Sequence, residues 1–494
     1  MGKDILRARL KGQMDKKVLQ FLSSLKDDLW IAEEDIVGTE AHNIMLFEQG
    51  ILLESEIIKI LASLEDIKEK FKNNKIDLDE TFEDIHPFIE KLVIDDIGID
   101  IGGKTHTGRS RNDQVSVDIR LKIRNDFNDL SEDLFKLMDV LLEVAKNSKN
   151  TFVPLYTHLQ RGQLGVFAHY VNNYTYQITR TLVRIEEIYN RVNQNPLGAC
   201  AIGGTSVKIS RKRTAELLGF EGVVENSIDA ISSRDYILET LSCLSLISTQ
   251  FSRMAEDLMI WSTKEFGFIE LDDKYCSVSS VMPQKRNPDT LEITRGKISK
   301  IISNQFTALM ITKAIPSGYF RDFQELKMLL KNSFELLISI ISIFTGLFSS
   351  IKINEEKMVE AVNESNVLAL DLAEFLVCEH DVPFRQSHEI VATLIRNSEN
   401  IITSMDKDSI EKETLRVVGK KISLSEESLN SLKDLNQCLD KRVSQGSPSK
   451  HEVEKSINLL EGVKQKLHES FLNRVEKVKK SNDQRMNLIK KLTS

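Results

Sequence analysis

Between residues 121 and 145 the apolar positions Ile123, Phe127, Leu130, Leu134, Leu137 and Leu141 step alternately by four and three. That spacing lays them along one stripe of a helix packed nearly parallel to its neighbours. Segments 166–193, 234–264, 290–315 and 323–352 also favour helix and hold few glycines. No region shows several alternating strands punctuated by turn residues. The eight prolines (Pro87, Pro154, Pro196, Pro283, Pro288, Pro316, Pro383 and Pro448) leave long uninterrupted stretches between them. The predicted class is all-α: an N-terminal helical domain over 1–110, a central bundle of long helices over 111–360, and a C-terminal helical domain over 361–494 that ends in a long tail. The tail, 450–494, reads as one or two amphipathic helices with a solvated, lysine-rich face. The chain shows no internal repeat and no low-complexity linker.

Composition narrows the class. The chain has 494 residues, 41% hydrophobic and 28% charged, enough for a large core and a length that suggests about three domains. A net charge of −8 gives no basic footprint for nucleic acid. Five scattered cysteines with no CxxC pair argue against a zinc site and a disulfide framework, and fit a reducing compartment. The opening MGKDILRARLKGQMDKK is too polar for a secretory signal. The apolar run at 336–348 is read as too short and interrupted to span a bilayer. A cytoplasmic protein is expected.

Several segments carry candidate chemistry. GIDIGGKT (98–105) matches a phosphate-loop pattern letter for letter. However, helical spacing precedes it and a polar, basic stretch follows, so the strand and helix that such a loop requires are missing. The next residues, HTGRSRNDQ (106–114), hold two arginines, a serine, Asn112 and Asp113. Guanidinium groups grip carboxylates in a planar fork, and Asp113 offers an acceptor for a ligand guanidinium. A solvated loop ending in a helix cap fits the same residues. After Pro154, where a helix is expected to start, YTHLQRGQ (156–163) places Thr157 and His158 near its positive end. YFRDFQELK (319–327) puts Gln324 and Lys327 on one helical face. Finally, SSVMPQKRNPD (279–289) is a loop shaped by two prolines and bearing hydroxyls, a lysine and an asparagine. Together these supply cations, amides, a histidine and a serine loop. They contain no metal-ligand set and no dinucleotide fingerprint. The implied chemistry is proton movement on a substrate with several carboxylates, with no cofactor.

SSVMPQKRNPD resembles the signature loop of the fumarase/aspartase superfamily. HTGRSRNDQ, THLQR, NSIDAISSRD (226–235), EDLMIWSTKEFGFIELDD (256–273) and the Gln324/Lys327 pair resemble the argininosuccinate lyases in particular. The likeness runs from about Ser24 to Pro448. It implies a fumarase/aspartase-like fold, reversible β-elimination of argininosuccinate to arginine and fumarate, and a role in arginine biosynthesis. It also implies a homotetramer built on the central helices, with each active site shared among subunits.

Position by position, the resemblance makes Ser279 the base that removes the succinyl Cβ proton. Lys285 and Asn287 would hold the adjacent carboxylate. His158, backed by Glu292, would serve the leaving guanidinium. Ser24, Arg111, Asn112, Thr157, Tyr319, Gln324 and Lys327 match substrate-binding positions. The chain departs from the family pattern at Val278 (usually glycine), Gly162, Leu164, Phe320 and Thr39. Its tail is longer than is common in the family; the sequence gives no functional account of it, and extra packing between subunits is a hypothesis. The rival readings are a sister lyase such as adenylosuccinate lyase, a catalytically silent structural homologue, and a non-enzymatic helical scaffold.

Overall fold

The computed structural model describes residues 14–398, 400, 401 and 405–493. The N-terminal region is built on helices α1 (Ala32–Glu48), α2 (Glu54–Lys72) and α3 (Ile85–Ile97). Five long helices then make the bundle: α4 (Arg111–Asn147), α5 (Phe167–Val192), α6 (Asp235–Trp261), α7 (Asp289–Thr312) and α8 (Leu326–Ser350). Short helices follow, and the chain ends in α9 (Lys450–Thr493).

The heptad-spaced stripe of α4 is the centre of the core. Ile123, Phe127, Leu130, Leu134, Leu137 and Leu141 are all fully buried. Each such side chain contributes roughly 1.5–3 kcal/mol on burial, so the stripe alone fixes the orientation of α4. Phe127 meets Phe334 of α8 edge to face at 5.3 Å, and Phe251 of α6 meets Phe344 of α8 at 5.1 Å. Helix α4 packs on α5 and α8, and α6 packs on α5, α7 and α8. The run Arg321–Ser350 is long and apolar enough, by length and composition, to cross a membrane. This corrects the expectation of a run too short to span, which counts only 336–348. Here Leu330, Phe334, Leu337, Ile341 and Phe344 are buried within the bundle.

Strands do occur among the described residues, as four two-stranded ladders. The principal one corrects the expected helix after Pro154. Strands β1 (Phe152–Thr157) and β2 (Gln160–Val166) form an antiparallel hairpin. Aromatic and β-branched residues in β1 favour the pleat. Gly165 gives the Leu155 side chain room, because a Cβ there would lie 2.6 Å from it. The tail forms one continuous helix. It leaves the C-terminal region and runs back along α4, α5 and α2 of its own chain.

GIDIGGKT contains the short helix Ile99–Gly102 and a turn, and Lys104 pairs with Glu56. The phosphate-loop match is therefore a helix–turn junction.

Candidate active site

Three separate elements carry the candidate residues. The first is a cleft at the junction of the N-terminal helices and the bundle. It is lined by Ser24, Arg111, Tyr319, Gln324 and Lys327, all expected from the sequence. Asp84, His86, Val115, Ile119, Arg234 and Phe323 complete it. Asn112, in the first turn of α4, donates its amide to the Ala201 carbonyl at 2.9 Å.

The cations of this cleft already have partners within the chain. Lys327 is buried in an ion pair with Asp28. Asp28 also accepts from the Ser24 hydroxyl at 2.8 Å and from the Ile85 amide at 3.4 Å. Arg111 donates to Asp84 at 2.8 Å and lies 3.7 Å from Glu83. Arg234 differs. Its Nη1 donates to the carbonyls of Ile231 and Ser233, but its buried Nε and Nη2 have no partner among the described residues. Asp28, Asp84, His86 and Arg234 are site residues that the sequence analysis does not single out. Arg234 lies within NSIDAISSRD, and Asp84 and His86 sit together in FEDIH. Burial raises the Tyr319 phenol above its ordinary value, against the pull of Arg234, so Tyr319 is a neutral donor at neutral pH.

Asp113 does not await a ligand guanidinium, contrary to expectation. It closes a capping box with Ser110 at the start of α4, and its other oxygen accepts from the Gly198 and Cys200 amides at 2.8 Å each. Burial pushes its carboxyl up to about 6, despite those amides. Its role is to tie segment 198–200 to the helix that bears Arg111 and Asn112.

Beneath the cleft, His86 Nδ1 lies 3.0 Å from Asp35 and 3.5 Å from Asp118. Burial, then the neighbouring Asp35, drives the Asp118 carboxyl well above its usual range. Burial opposes charge on Asp35 too, yet His86 and Arg109 hold its carboxyl below the ordinary value. Ionisation is thus disfavoured more at Asp118 than at Asp35.

The second element is the β1–β2 hairpin. Thr157 ends β1, and His158 with Leu159 makes the two-residue turn, at φ 54° and 56°. Left-handed backbone at both positions matches the twist of the flanking strands. It is nevertheless costly for a leucine, and strain of this kind is tolerated where a tip must be held in place. His158 therefore stands on an exposed hairpin tip, not at a helix terminus.

The third element is a second hairpin, β3 (Ser277–Val278) with β4 (Arg286–Asn287). Its base is fixed. Ser277 bonds Asp289, Arg286 lies 3.1 Å from Asp273, and Thr290 donates to the Tyr275 carbonyl at 2.8 Å. Val278, where the family usually has glycine, is an extended strand residue paired with Arg286, a setting that suits a β-branched side chain. Beyond it the Ser279 hydroxyl oxygen accepts from the backbone N–H of Met282 at 3.0 Å and of Val281 at 3.3 Å. Lys285 is exposed at the far side of the loop, and Glu292 is exposed in the first turn of α7. The loop also exposes Val278 and Val281, each at 83%.

Within one chain the cleft is lined by no residue of either hairpin. His158 and Glu292 make no side-chain hydrogen bond or ion pair among the described residues.

Known proteins show what the chain is similar to. Residues 8–303 match the family model described as "Lyase", and residues 366–446 match "Argininosuccinate lyase C-terminal". The chain is 44% identical over 417 residues to the argininosuccinate lyase of Nitrosopumilus maritimus, covering 84% of each chain. It is 39% identical over 486 residues to that of Methanocaldococcus jannaschii, covering 98% of this chain and 97% of the relative. Among solved structures, EDDS lyase in complex with formate superposes with a TM-score of 0.87 at 26% identity, over 100% of this chain and 99% of that one. A class II fumarase from Schistosoma mansoni superposes with a TM-score of 0.69 at 17% identity, over 82% of this chain and 90% of that one, and shares the fold.

Proposed function

We propose, from the premise that the chain belongs to the argininosuccinate lyase family, that its three polar elements meet across subunits to form one elimination site. The protein is a carbon–nitrogen lyase with argininosuccinate lyase function.

The proton to be removed lies beside a carboxylate, and its loss builds a second negative charge on that group. Ser279 is the proposed base. A serine hydroxyl is a poor base unless its alkoxide is stabilised. The two backbone donors on its oxygen are the single observation that carries the assignment. Lys285 and Asn287 hold the carboxylate as its charge grows, and each well-placed donor of this kind contributes about 3–4 kcal/mol to the transition state. His158, oriented by Glu292, gives the proton that lets the guanidinium leave as arginine, and fumarate remains. Ser24, Arg111, Asn112, Thr157, Tyr319, Gln324 and Lys327 bind the substrate. The partners in this reading are argininosuccinate, arginine and fumarate.

A homotetramer built on the bundle brings the elements together. The outward face of α7 supports it: Ile302, Phe306, Leu309 and Met310 follow helical spacing and are exposed, Phe306 at 65%. An apolar stripe of this kind marks a contact surface. The reading places the enzyme in the cytoplasm, in arginine biosynthesis, where its five cysteines remain thiols.

The test is direct. The protein is incubated separately with argininosuccinate and adenylosuccinate, and fumarate is followed. Release from argininosuccinate alone is expected. Release only from adenylosuccinate would overturn the substrate reading, and release from neither would leave a silent homologue.

A further inference from the structure

Helix α1 lies behind the cleft, where its Asp35 is 3.0 Å from the cleft residue His86, and it is itself held from other sides. Thr39 accepts from Arg109 Nη1 at 2.9 Å, His42 Nε2 donates to the Thr107 carbonyl at 2.8 Å, and Asn43 donates to the Thr105 carbonyl at 3.4 Å. Those bonds fix segment 105–109, directly before Arg111. Around the helix from them lies Glu40, fully buried. Its two oxygens accept from Lys68 of α2 at 2.6 Å and from Arg485 of α9 at 3.1 Å.

Arg485 is 4% exposed on a helix whose neighbouring residues mostly face solvent. Its guanidinium also donates to the Leu217 carbonyl at 3.3 Å and to Asn482 at 2.9 Å. Lys68 is shared with Glu65 at 2.5 Å, so it cannot by itself balance Glu40. Arg485 supplies the second cation, in a planar fork whose geometry is set by three acceptors.

A second anchor on α9 provides the contrast. Arg474 binds Glu186, Asn128 and Ser131 of the bundle helices and, among the described residues, makes no hydrogen bond or ion pair with α1.

We propose that Arg485 is a positioning residue for the substrate cleft. Through Glu40 it fixes α1, and through Thr39, His42 and Asn43 it fixes the segment from which Arg111 reaches the substrate. The inference rests on the cleft being the substrate site.

The experiment compares Arg485→Met, Arg485→Lys and Arg474→Ala with the unaltered full-length protein. KM and kcat for argininosuccinate, thermal midpoint, and hydrogen exchange of amides 105–111 are measured. For Arg485→Met, KM is expected to rise about 3- to 30-fold with kcat nearly kept, and the 105–111 amides to exchange faster. Arg485→Lys should recover part of both effects. Arg474→Ala should lower the midpoint with KM and 105–111 exchange unchanged. If Arg485→Met does not fold, Arg485→Lys and Glu40→Gln carry the same KM test. Unchanged 105–111 exchange overturns the coupling itself. Faster exchange with unchanged KM overturns the positioning role and points instead to failure of the cleft as the substrate site. Equal effects of the Arg485 and Arg474 variants on every readout reduce the tail to a general stabiliser and overturn the proposal.

Discussion

The hydroxyl oxygen of Ser279 accepts the Met282 backbone N–H at 3.0 Å, and the loop closes on itself around that bond. With the Val281 amide beside it, the arrangement favours the deprotonated hydroxyl, because backbone donors stabilise an oxyanion without reorganising. Ser279→Ala should lose turnover by more than about 1000-fold while substrate binding is largely kept. Fumarate release and equilibrium binding of argininosuccinate check the two halves separately. Near-normal turnover would remove Ser279 from the base role.

Arg234 is the cleft cation with donors to spare. Burying a guanidinium with Nε and Nη2 unpaired is costly, and a substrate carboxylate removes that cost. A hydrogen bond to a charged group contributes about 1.5–3 kcal/mol. Arg234→Lys should therefore raise KM about tenfold or more, since lysine lacks the fork. An unchanged KM would show that the orphan donors do not meet the substrate.

Asp28 and Lys327 form a buried charge pair within the chain. Removing one partner strands the other charge, at a cost of about 3–5 kcal/mol. Asp28→Ala and Lys327→Ala should each lower the urea midpoint strongly, and the double variant should cost less than the two added together. Additivity would mean that the pair is not coupled.

The long helices are legible in the sequence because their signal is local. The four-and-three spacing of α4 needs only its own 25 or so residues to be read. The same holds for the loop residues Ser279, Lys285 and Asn287, which are neighbours in sequence. The β1–β2 hairpin is not legible. Its turn residues, His158 and Leu159, lack the asparagine or glycine that usually announces left-handed backbone, and Pro154 points to a helix start. Asp113 misleads for a related reason: its partners, the amides of Gly198 and Cys200, lie more than 80 positions away. Asp28 and Arg234 become visible only when the fold places them beside Lys327 and Tyr319.

His42 sets a pH dependence. Its ring is buried with Nε2 on the Thr107 carbonyl, and burial, then the Arg109 charge, pushes its pKa down to about 3. The unfolded value is near 6.5. Between those values the unfolded chain binds a proton that the folded chain does not, so stability falls as pH drops from 6.5 towards 3. The slope is about 1.4 kcal/mol per pH unit for one proton. His42→Gln keeps an amide donor for Thr107 and removes the titration. Urea unfolding between pH 6.5 and 5 should show the slope reduced in that variant, by about half a proton at pH 6.5 and approaching one proton at pH 5. An equal slope in both proteins would mean that His42 is charged in the fold.

The proposed sharing of one site among subunits makes a prediction about mixtures. If His158 and Ser279 reach one site from different subunits, His158→Asn and Ser279→Ala homotetramers are each inactive at every site. Mixed tetramers, formed by dissociating and reassociating the two variants together, contain some sites that draw His158 from a Ser279→Ala chain and Ser279 from a His158→Asn chain. At equal, random mixing about a quarter of sites are intact, because each of two independent contributions is correct half the time. Activity should therefore rise from near zero to about a quarter of the unaltered level after reassociation, and stay near zero when the two are merely mixed without it. If both residues came from the same chain, no mixture would yield an intact site. Failure to recover activity in verified mixed tetramers would then reject the shared site.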